Sequence, residues 1–492
     1  MRLSELLVAM DVRETKGAGD PEVRGIAYHS QRVREGDVFV AVKGAASDGH
    51  HFIHEAVKRG ASAVIAEKRP AEPTVVPIVV TADTRKALAQ ISAEFFGHPS
   101  REITLVGITG TNGKTTTSFL LESIFKEAGK KVGVIGTINY RFGHEKLTAP
   151  TTTPQSYDLQ QLLRTMVEKG IEYGVMEVSS HALDQERVAA CHFDVGVFTN
   201  LSPEHLDYHE DMQQYFAAKK RFFHDTLAQT QKDPYAVVNV DDPLLRDFIG
   251  ELTALKTMTY GLEDGDVKTV RREVSLRGID ALLCTSAGTC PIRSRLIGEY
   301  NLYNIMAAVA VGVALHIPLD TVRRGIEGVT TVAGRMEQVG NGNPLILVDY
   351  AHTPDALEKA IQGLRKLVHG KLLLVFGCGG DRDRSKRPVM GRIGVQLADL
   401  AIITSDNPRT EDPLKIIEEI EQGAQKVDPH RYLVIPDRRE AIKRAITLAA
   451  SEDAVLVAGK GHEDYQVLGR EKVHFDDREE ARKALEARKA ET

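Results

Sequence analysis

Between residues 103 and 117 the chain runs from an apolar segment through Gly107, Gly110 and Gly113 to Lys114 and Thr115-Thr-Thr117. The apolar run 103–108 predicts a buried strand, and Phe119, Leu120, Leu121, Ile124 and Phe125 then recur at helical spacing. Strand, glycine loop, helix is the context a phosphate-binding loop requires. The glycines let backbone N–H groups turn inward and the helix N-terminus adds partial positive charge. The lysine reaches the outer phosphates, and the Thr115 hydroxyl can hold Mg²⁺. The spacing is a variant, because the general consensus places a glycine where this chain has Ile108. A plain turn with a solvated lysine leaves Gly-Lys-Thr-Thr at this junction unexplained.

At 492 residues the chain exceeds one core, and at about 150 residues per domain it predicts three. Charged residues at 27% and apolar ones at 42% are ordinary for a globular protein. A net charge of −6, with no Lys/Arg stripe among aromatics, argues against nucleic acid as a partner. No apolar run approaches a membrane span, and Met1-Arg-Leu-Ser-Glu-Leu-Leu7 is too short and too charged for a signal peptide. Cys191, Cys284, Cys290 and Cys378 lack paired ligand spacing, so neither disulfides nor zinc is indicated. The expectation is a cytoplasmic protein without membrane insertion, acting as a monomer.

Residues 1–98 alternate short strands (37–42, 63–66, 78–80) with helices (52–59, 83–96), enough for a small α/β domain. Turn residues at 97–100 mark a boundary. Residues 99–331 read as βαβ, with continuously apolar strands at 103–109, 132–137, 173–178, 194–199 and 236–240, as parallel strands covered on both faces should be. A helix at 300–315 carries Asn301 and Asn304. Residues 332–492 form a second parallel series, with strands at 345–348, 372–376, 401–404, 432–435 and 454–457 and helices at 354–367, 413–424 and 438–450. Polar loops follow these strands: Asp349-Tyr-Ala-His352, Gly377-Cys-Gly-Gly-Asp-Arg-Asp383, Ser405-Asp-Asn-Pro-Arg409 and Gly459-Lys-Gly-His-Glu463. Open α/β sheets bind ligands beyond the carboxyl ends of their strands, which marks this rim as a site.

A bound triphosphate needs a cation. Glu177, closing a strand in Glu177-Val-Ser-Ser-His181, offers the oxygen ligand Mg²⁺ prefers. His205, in Asn200-Leu-Ser-Pro-Glu-His-Leu-Asp207, reads equally as a metal contact or a hydrogen-bonded loop histidine. His181 and His209 read as supporting groups. Lys219, beside Lys220 on an amphipathic helix, is by itself an ordinary surface lysine.

In order along the chain, Gly110-Thr-Asn-Gly-Lys-Thr-Thr116, Glu177-Val-Ser-Ser-His181, Asn200-Leu with His205-Leu-Asp207, Asn301 with Asn304, Gly334-Arg335 and Asp349-Tyr-Ala-His352 resemble the Mur ligase family. These are ATP-dependent amide-forming enzymes of peptidoglycan synthesis. The resemblance implies a small N-terminal α/β domain, a central P-loop ATPase-like parallel sheet and a C-terminal Rossmann-like doubly wound sheet. It implies ATP and Mg²⁺ as cofactors, with Lys114, Lys219, Glu177 and His205 catalytic. ATP would contact Gly110, Thr111, Asn112, Gly113, Lys114, Thr115, Thr116, Asn301, Asn304, Arg335, Asp349 and His352. The metal would lie among Thr115, Glu177, His205 and Lys219, the last as a carbamate. Such a modification is physically reasonable, since an ammonium is repelled by Mg²⁺ whereas a carbamate is an anionic oxygen ligand.

The resemblance is greatest to the branch acting on UDP-N-acetylmuramoyl-L-alanyl-D-glutamate. It places Ser30, Ala45, Ala46, Ser47, Thr151, Thr152, Thr153, Ser179, Gln185 and Arg187 on that substrate. Asp406-Asn-Pro-Arg409 is similar to the motif of members that add meso-diaminopimelate rather than L-lysine, and Arg382, Asp406, Asn407, Pro408, Arg409, Gly459 and Glu463 would bind it. A guanidinium fork suits the carboxylate that distinguishes the two amines. Activation through an acyl phosphate needs no nucleophilic side chain, and no Ser/His/Asp elbow is present. The alternatives are the same ligase using L-lysine, a folylpolyglutamate synthetase-like ligase, and a nucleotide-gated binding protein without synthesis.

Overall fold

A computed structural model describes residues 1–44, 47–340 and 342–491, the side chains of 490 and 491 apart. Four sheets organise it. The first runs in the order Glu14–Lys16, Ile78–Val80, Ala63–Ala66, Asp37–Val40, Gly25–Ala27, parallel except for its first strand. Helix Thr84–Phe95 covers one face, capped by Asp83, which accepts from the N–H groups of Arg85 and Lys86. The strands at 14–16 and 25–27 escape a sequence reading because three residues carry too little pattern.

The second sheet has eleven strands. Thr104–Thr109 lies at its centre, parallel to Tyr173–Glu177 on one side and Val195–Phe198 on the other. The strand feeds helix Lys114–Glu127, whose Leu120, Leu121, Ile124 and Phe125 are fully buried against the sheet. Helix Glu299–Ala314 is apolar nearly all round and correspondingly buried.

Residues 267–294 depart from the predicted βαβ pattern. Val267–Ser275, Gly278–Thr285 and Gly288–Ser294 form an antiparallel meander extending the sheet edge. Two-residue turns join them, and Gly278–Thr285 alternates buried with half-buried residues. That period of two marks a one-sided strand, unlike the continuous apolar runs of the sheet centre. Hairpin Asn139–Phe142 with Glu145–Thr148 edges the other side.

The third sheet is ordered Glu337–Val339, Leu345–Asp349, Ala454–Ala458, Leu372–Phe376, Leu400–Ile403, Tyr432–Val434, parallel apart from the first strand. Helices Pro354–Arg365, Lys386–Leu397 and Pro413–Ala424 pack on one face, Arg438–Leu448 and Asp477–Glu491 on the other. The fold is therefore α/β and doubly wound here. The fully buried Arg438–Asp477 pair, 2.7 Å apart, anchors the last helix. A small hairpin, Tyr465–Leu468 with Glu471–His474, stands over the rim.

Candidate active site

A cleft of about 640 Å³ opens where the central and third sheets meet. Its floor is the phosphate loop. Gly113 caps helix Lys114–Glu127 at φ 89°, and a Cβ there would lie 2.3 Å from Asn304 Oδ1, so only glycine fits. Asn304 Nδ2 in turn donates to Asn301 Oδ1 at 3.0 Å. The two asparagines thus brace the loop from one turn of a buried helix. Lys114 Nζ donates to the carbonyls of Gly110 and Thr111 at 2.8 and 2.7 Å.

Glu177 is buried at the end of its strand. Its Oε2 accepts from the hydroxyls of Thr115 (3.0 Å) and Thr137 (2.8 Å), and its Oε1 from the Thr137 N–H (3.1 Å). Lys219 is 1% exposed, its Nζ 3.0 Å from the Gly110 carbonyl and 4.5 Å from the centre of the Tyr215 ring. Burial, reinforced by Lys114, drives its pKa well below the ordinary lysine value, with Glu204 opposing. A surface lysine is therefore ruled out.

His205 stands at φ 57°, within 3.8 Å of Glu204, and its ring lies against His181 at 4.7 Å. Burial outweighs Glu204 and holds the His205 imidazole at about 4, so it is neutral at physiological pH. Glu204 itself is held down to about 2. Burial raises it, but His205, Lys114, His352 and Lys219 outweigh that.

Arg335, Asp349 and His352 reach the same cleft from the third sheet. Arg335 Nη2 donates to Thr115 Oγ1 at 3.2 Å, and its guanidinium lies 4.5 Å over the Tyr350 ring. Asp349 accepts the N–H groups of Met336 and Ala351, ordering the segment that carries Arg335. Burial raises its pKa, with Arg335 and the two N–H groups opposing. His352 packs against Tyr350 and is lowered to about 4, chiefly by burial.

Thr153, Ser179, Gln185 and Arg187 form a linked wall beside Glu177. Thr153 Oγ1 donates to the Glu177 carbonyl (2.8 Å), Arg187 Nη1 to the Thr153 carbonyl (2.7 Å), and Arg187 Nη2 to Gln185 Oε1 (2.7 Å). Thr152 meets Thr137 at 3.1 Å, and the Thr151 carbonyl accepts from Tyr140. In the first sheet's loops, Ser30 donates to Glu55 at 3.2 Å and Ser47 is exposed. Ala45 and Ala46 lie outside the described residues.

The third-sheet rim gathers a second polar cluster. Asn407 Nδ2 donates to Glu463 Oε2 at 2.8 Å, and fully buried Lys460 donates to Asn407 Oδ1 (3.3 Å), Glu463 Oε2 (3.2 Å) and the Tyr465 carbonyl. Gly459, at φ 119°, would clash with Asp406 Oδ2 if it bore a Cβ. Asp406 accepts from the Asn407 N–H and so shapes the loop. Arg409, after Pro408, has φ 52°. Its N–H and carbonyl are tied to Val467 and Gly469 of the hairpin, and its Nη1 donates to the Gly380 carbonyl at 2.7 Å. Arg382 is not drawn into this cluster, since its Nη1 donates to the neighbouring Asp381 carbonyl at the surface.

Glu204, Asp355 and Lys460 join these networks without having been singled out in the sequence. Each sits one to three residues from a residue that was. Burial is what distinguishes Lys460 from a solvated loop lysine, and no sequence period encodes it.

Three comparisons bear on this geometry. Residues 22–96 match the Mur ligase family catalytic domain, 108–312 the Mur ligase middle domain, and 334–461 the Mur ligase glutamate ligase domain. A relative from Geobacter metallireducens, UDP-N-acetylmuramoyl-L-alanyl-D-glutamate--2,6-diaminopimelate ligase, is 47% identical over 99% of this chain and 98% of its own length. The chain belongs to the Mur ligase family. A solved structure of an enzyme of that same name superposes with a TM-score of 0.68 at 32% identity, covering 95% of each chain. The folylpolyglutamate synthase of Mycobacterium tuberculosis, complexed with ADP, shares the fold at 19% identity and a TM-score of 0.63, covering 76% of this chain. As a Mur ligase, the protein is an ATP-dependent acid–amino-acid ligase of peptidoglycan precursor synthesis. Among the described residues no helix is long and apolar enough to cross a membrane.

Among the described residues, no group of three or more His, Cys, Asp or Glu side chains could hold a metal ion alone. The donors present, the Thr115 hydroxyl and the Glu177 carboxylate, suit a hard cation that completes its shell with water and phosphate oxygens.

Proposed function

We propose that this Mur ligase joins meso-2,6-diaminopimelate to the D-glutamate γ-carboxylate of UDP-N-acetylmuramoyl-L-alanyl-D-glutamate, in the cytoplasm and as a monomer, with ATP consumed to ADP and phosphate. Residues 1–98 bind the UDP end, 99–331 bind ATP and 332–492 bind the amine. The observation that carries the reading is one cleft where Lys114, Glu177 and Lys219 of the central sheet meet Arg335 of the third.

A carboxylate resists amines, so it must be activated. One γ-carboxylate oxygen attacks the γ-phosphorus of ATP and the bond to the β-phosphate oxygen breaks, giving an acyl phosphate and ADP. Lys114 and Arg335 are placed to neutralise the charge on the transferring group, and the loop N–H groups hold the phosphates in line. The neutral amine then attacks the acyl carbon, phosphate leaves and the nitrogen loses its proton. Thr115, Glu177 and the carbamate form of Lys219 are the groups that would hold Mg²⁺, with neutral His205 beside them. Bound there, Mg²⁺ supplies charge neutralisation of the phosphates. Thr152, Thr153, Ser179 and Arg187 line the approach of the dipeptide carboxylate, and Glu463 offers a carboxylate to an ammonium of the amine.

Phosphate release from ATP tests the reading. Release that requires both the UDP-muramoyl dipeptide and diaminopimelate is expected. Equal release with L-lysine would reassign the amine. Dependence on a folate acceptor, or turnover needing no acceptor, would overturn the assignment.

A further inference from the structure

Helix Pro354–Arg365 of the third sheet starts against the phosphate loop, 243 residues away in sequence. Asp355, in its first turn, accepts three hydrogen bonds at its Oδ2, one from Lys359 of its own helix and two from the central sheet. Asn112 Nδ2 donates to Oδ2 at 3.0 Å and Ser202 Oγ donates to the same atom at 2.8 Å. Asn112 lies between Thr111 and Gly113 of the phosphate loop, and Ser202 lies in the loop bearing His205. One carboxylate oxygen of the third sheet thus joins two separate loops of the central one.

Asn112 cannot swing freely. Its N–H donates to Asn200 Oδ1 at 3.0 Å, and its carbonyl accepts from Thr199 Oγ1 at 2.6 Å and Asn200 Nδ2 at 3.1 Å. A pull on its side chain therefore reaches the loop backbone. On the other side, Lys359 Nζ lies 2.9 Å from Asp355 and balances its charge, and an acidic group suits the first turn of a helix. Half-buried polar groups that lose such partners are costly, so the contact has a preferred geometry rather than a sliding one.

We propose that Asp355 is a positioning residue, a latch that seats the third sheet on the phosphate loop in the orientation the ligation requires. Asp355 itself touches no reacting atom. It acts through Asn112 and Ser202, so that the arrangement of the phosphate loop and the placement of the amine-bearing rim are set together. The kinetic consequence rests on the proposed function, whereas the structural one does not.

Two variants separate the latch from charge and from folding. In Asp355→Asn the amide oxygen still accepts from both donors, while Asp355→Ala offers nothing. With saturating substrates, Asp355→Ala is expected to lose about tenfold or more in kcat, with the KM for ATP moving less than about threefold, because positioning rather than nucleotide binding is lost. Asp355→Asn is expected to stay within about threefold of the parent protein. Small-angle scattering of the full chain with a non-hydrolysable ATP analogue should give a larger radius of gyration for the alanine variant only. Asn112→Ala combined with Asp355→Ala should cost less than the sum of the two single losses. Calorimetric ADP binding by the alanine variant establishes that its central sheet is folded. An alanine variant with parental kcat or parental scattering, an asparagine variant as impaired as alanine, or additive losses would each overturn the latch. Scattering needs no turnover, so it reads the latch even were the substrates misassigned.

Discussion

Arg335 Nη2 donates to Thr115 Oγ1 at 3.2 Å, joining the start of the third sheet's segment to the first turn of the phosphate-loop helix. The same hydroxyl donates to Glu177 Oε2 at 3.0 Å. A cation from one sheet and a carboxylate from its neighbour thus meet on one threonine, and the Tyr350 ring under the guanidinium fixes its plane. Lysine carries the charge but cannot stack and fork in this way. Arg335→Ala should lower kcat by about 10² to 10³. Arg335→Lys should recover only part of that loss, with the KM for ATP changing less than kcat in both. Steady-state phosphate release measures each, and parental kcat in the lysine variant would show that charge alone matters.

Lys219 is buried, and its pKa is driven well below that of a free lysine, first by burial and then by Lys114. Only a neutral amine attacks CO₂, so lowering the pKa enlarges the reactive fraction at physiological pH and favours the carbamate. Lys219→Ala should abolish ligation, and millimolar short carboxylates should restore part of it by supplying the missing anionic oxygens. Full activity of the alanine variant in CO₂-free buffer would remove the carbamate from the mechanism.

The strand–loop–helix at 104–127 and the doubly wound third sheet were legible because burial on both faces writes continuous apolar runs, and Gly113 with Lys114 punctuates them. The meander at 267–294 was not, because a one-sided strand alternates and its weaker signal lay between helices. The place of residues 110–113 between strand and helix, and of Glu177 at a strand end, could be read from local order alone. Lys219 was not legible, since adjacent Lys220 shares its helix but is half-buried and pairs with Glu251 instead of entering the cleft. Asp355 and Arg335 reach the loop from more than 200 residues away, a proximity that only the packing of two sheets creates.

Arg409 is placed by backbone rather than by packing of its own chain. Its φ of 52° and its ties to Val467 and Gly469 aim the side chain, and one nitrogen is spent on the Gly380 carbonyl. The remaining N–H groups can fork onto a carboxylate. Arg409→Ala should therefore reduce kcat/KM for diaminopimelate by about 10³, while L-lysine, which lacks that carboxylate, loses little. Competing the two amines in one assay measures the ratio, and an unchanged preference would place the selecting group elsewhere.

Lys460 bridges Asn407 and Glu463 from a fully buried position. Burial raises the Glu463 pKa above the ordinary glutamate value, Asp406 adds to the rise, and Lys460 and Asn407 oppose it. Glu463 must be ionised to receive an ammonium, so ligation falls as pH drops through its folded pKa. Lys460→Met removes the largest opposing charge, which lifts that pKa further and moves the acid limb of kcat/KM for the amine to higher pH. The limb for ATP should stay where it is, because Glu463 faces the rim rather than the phosphate loop. A pH profile for each substrate separates the two cases. An acid limb unmoved in the methionine variant would mean that Glu463 does not govern amine binding, whatever the loss in rate.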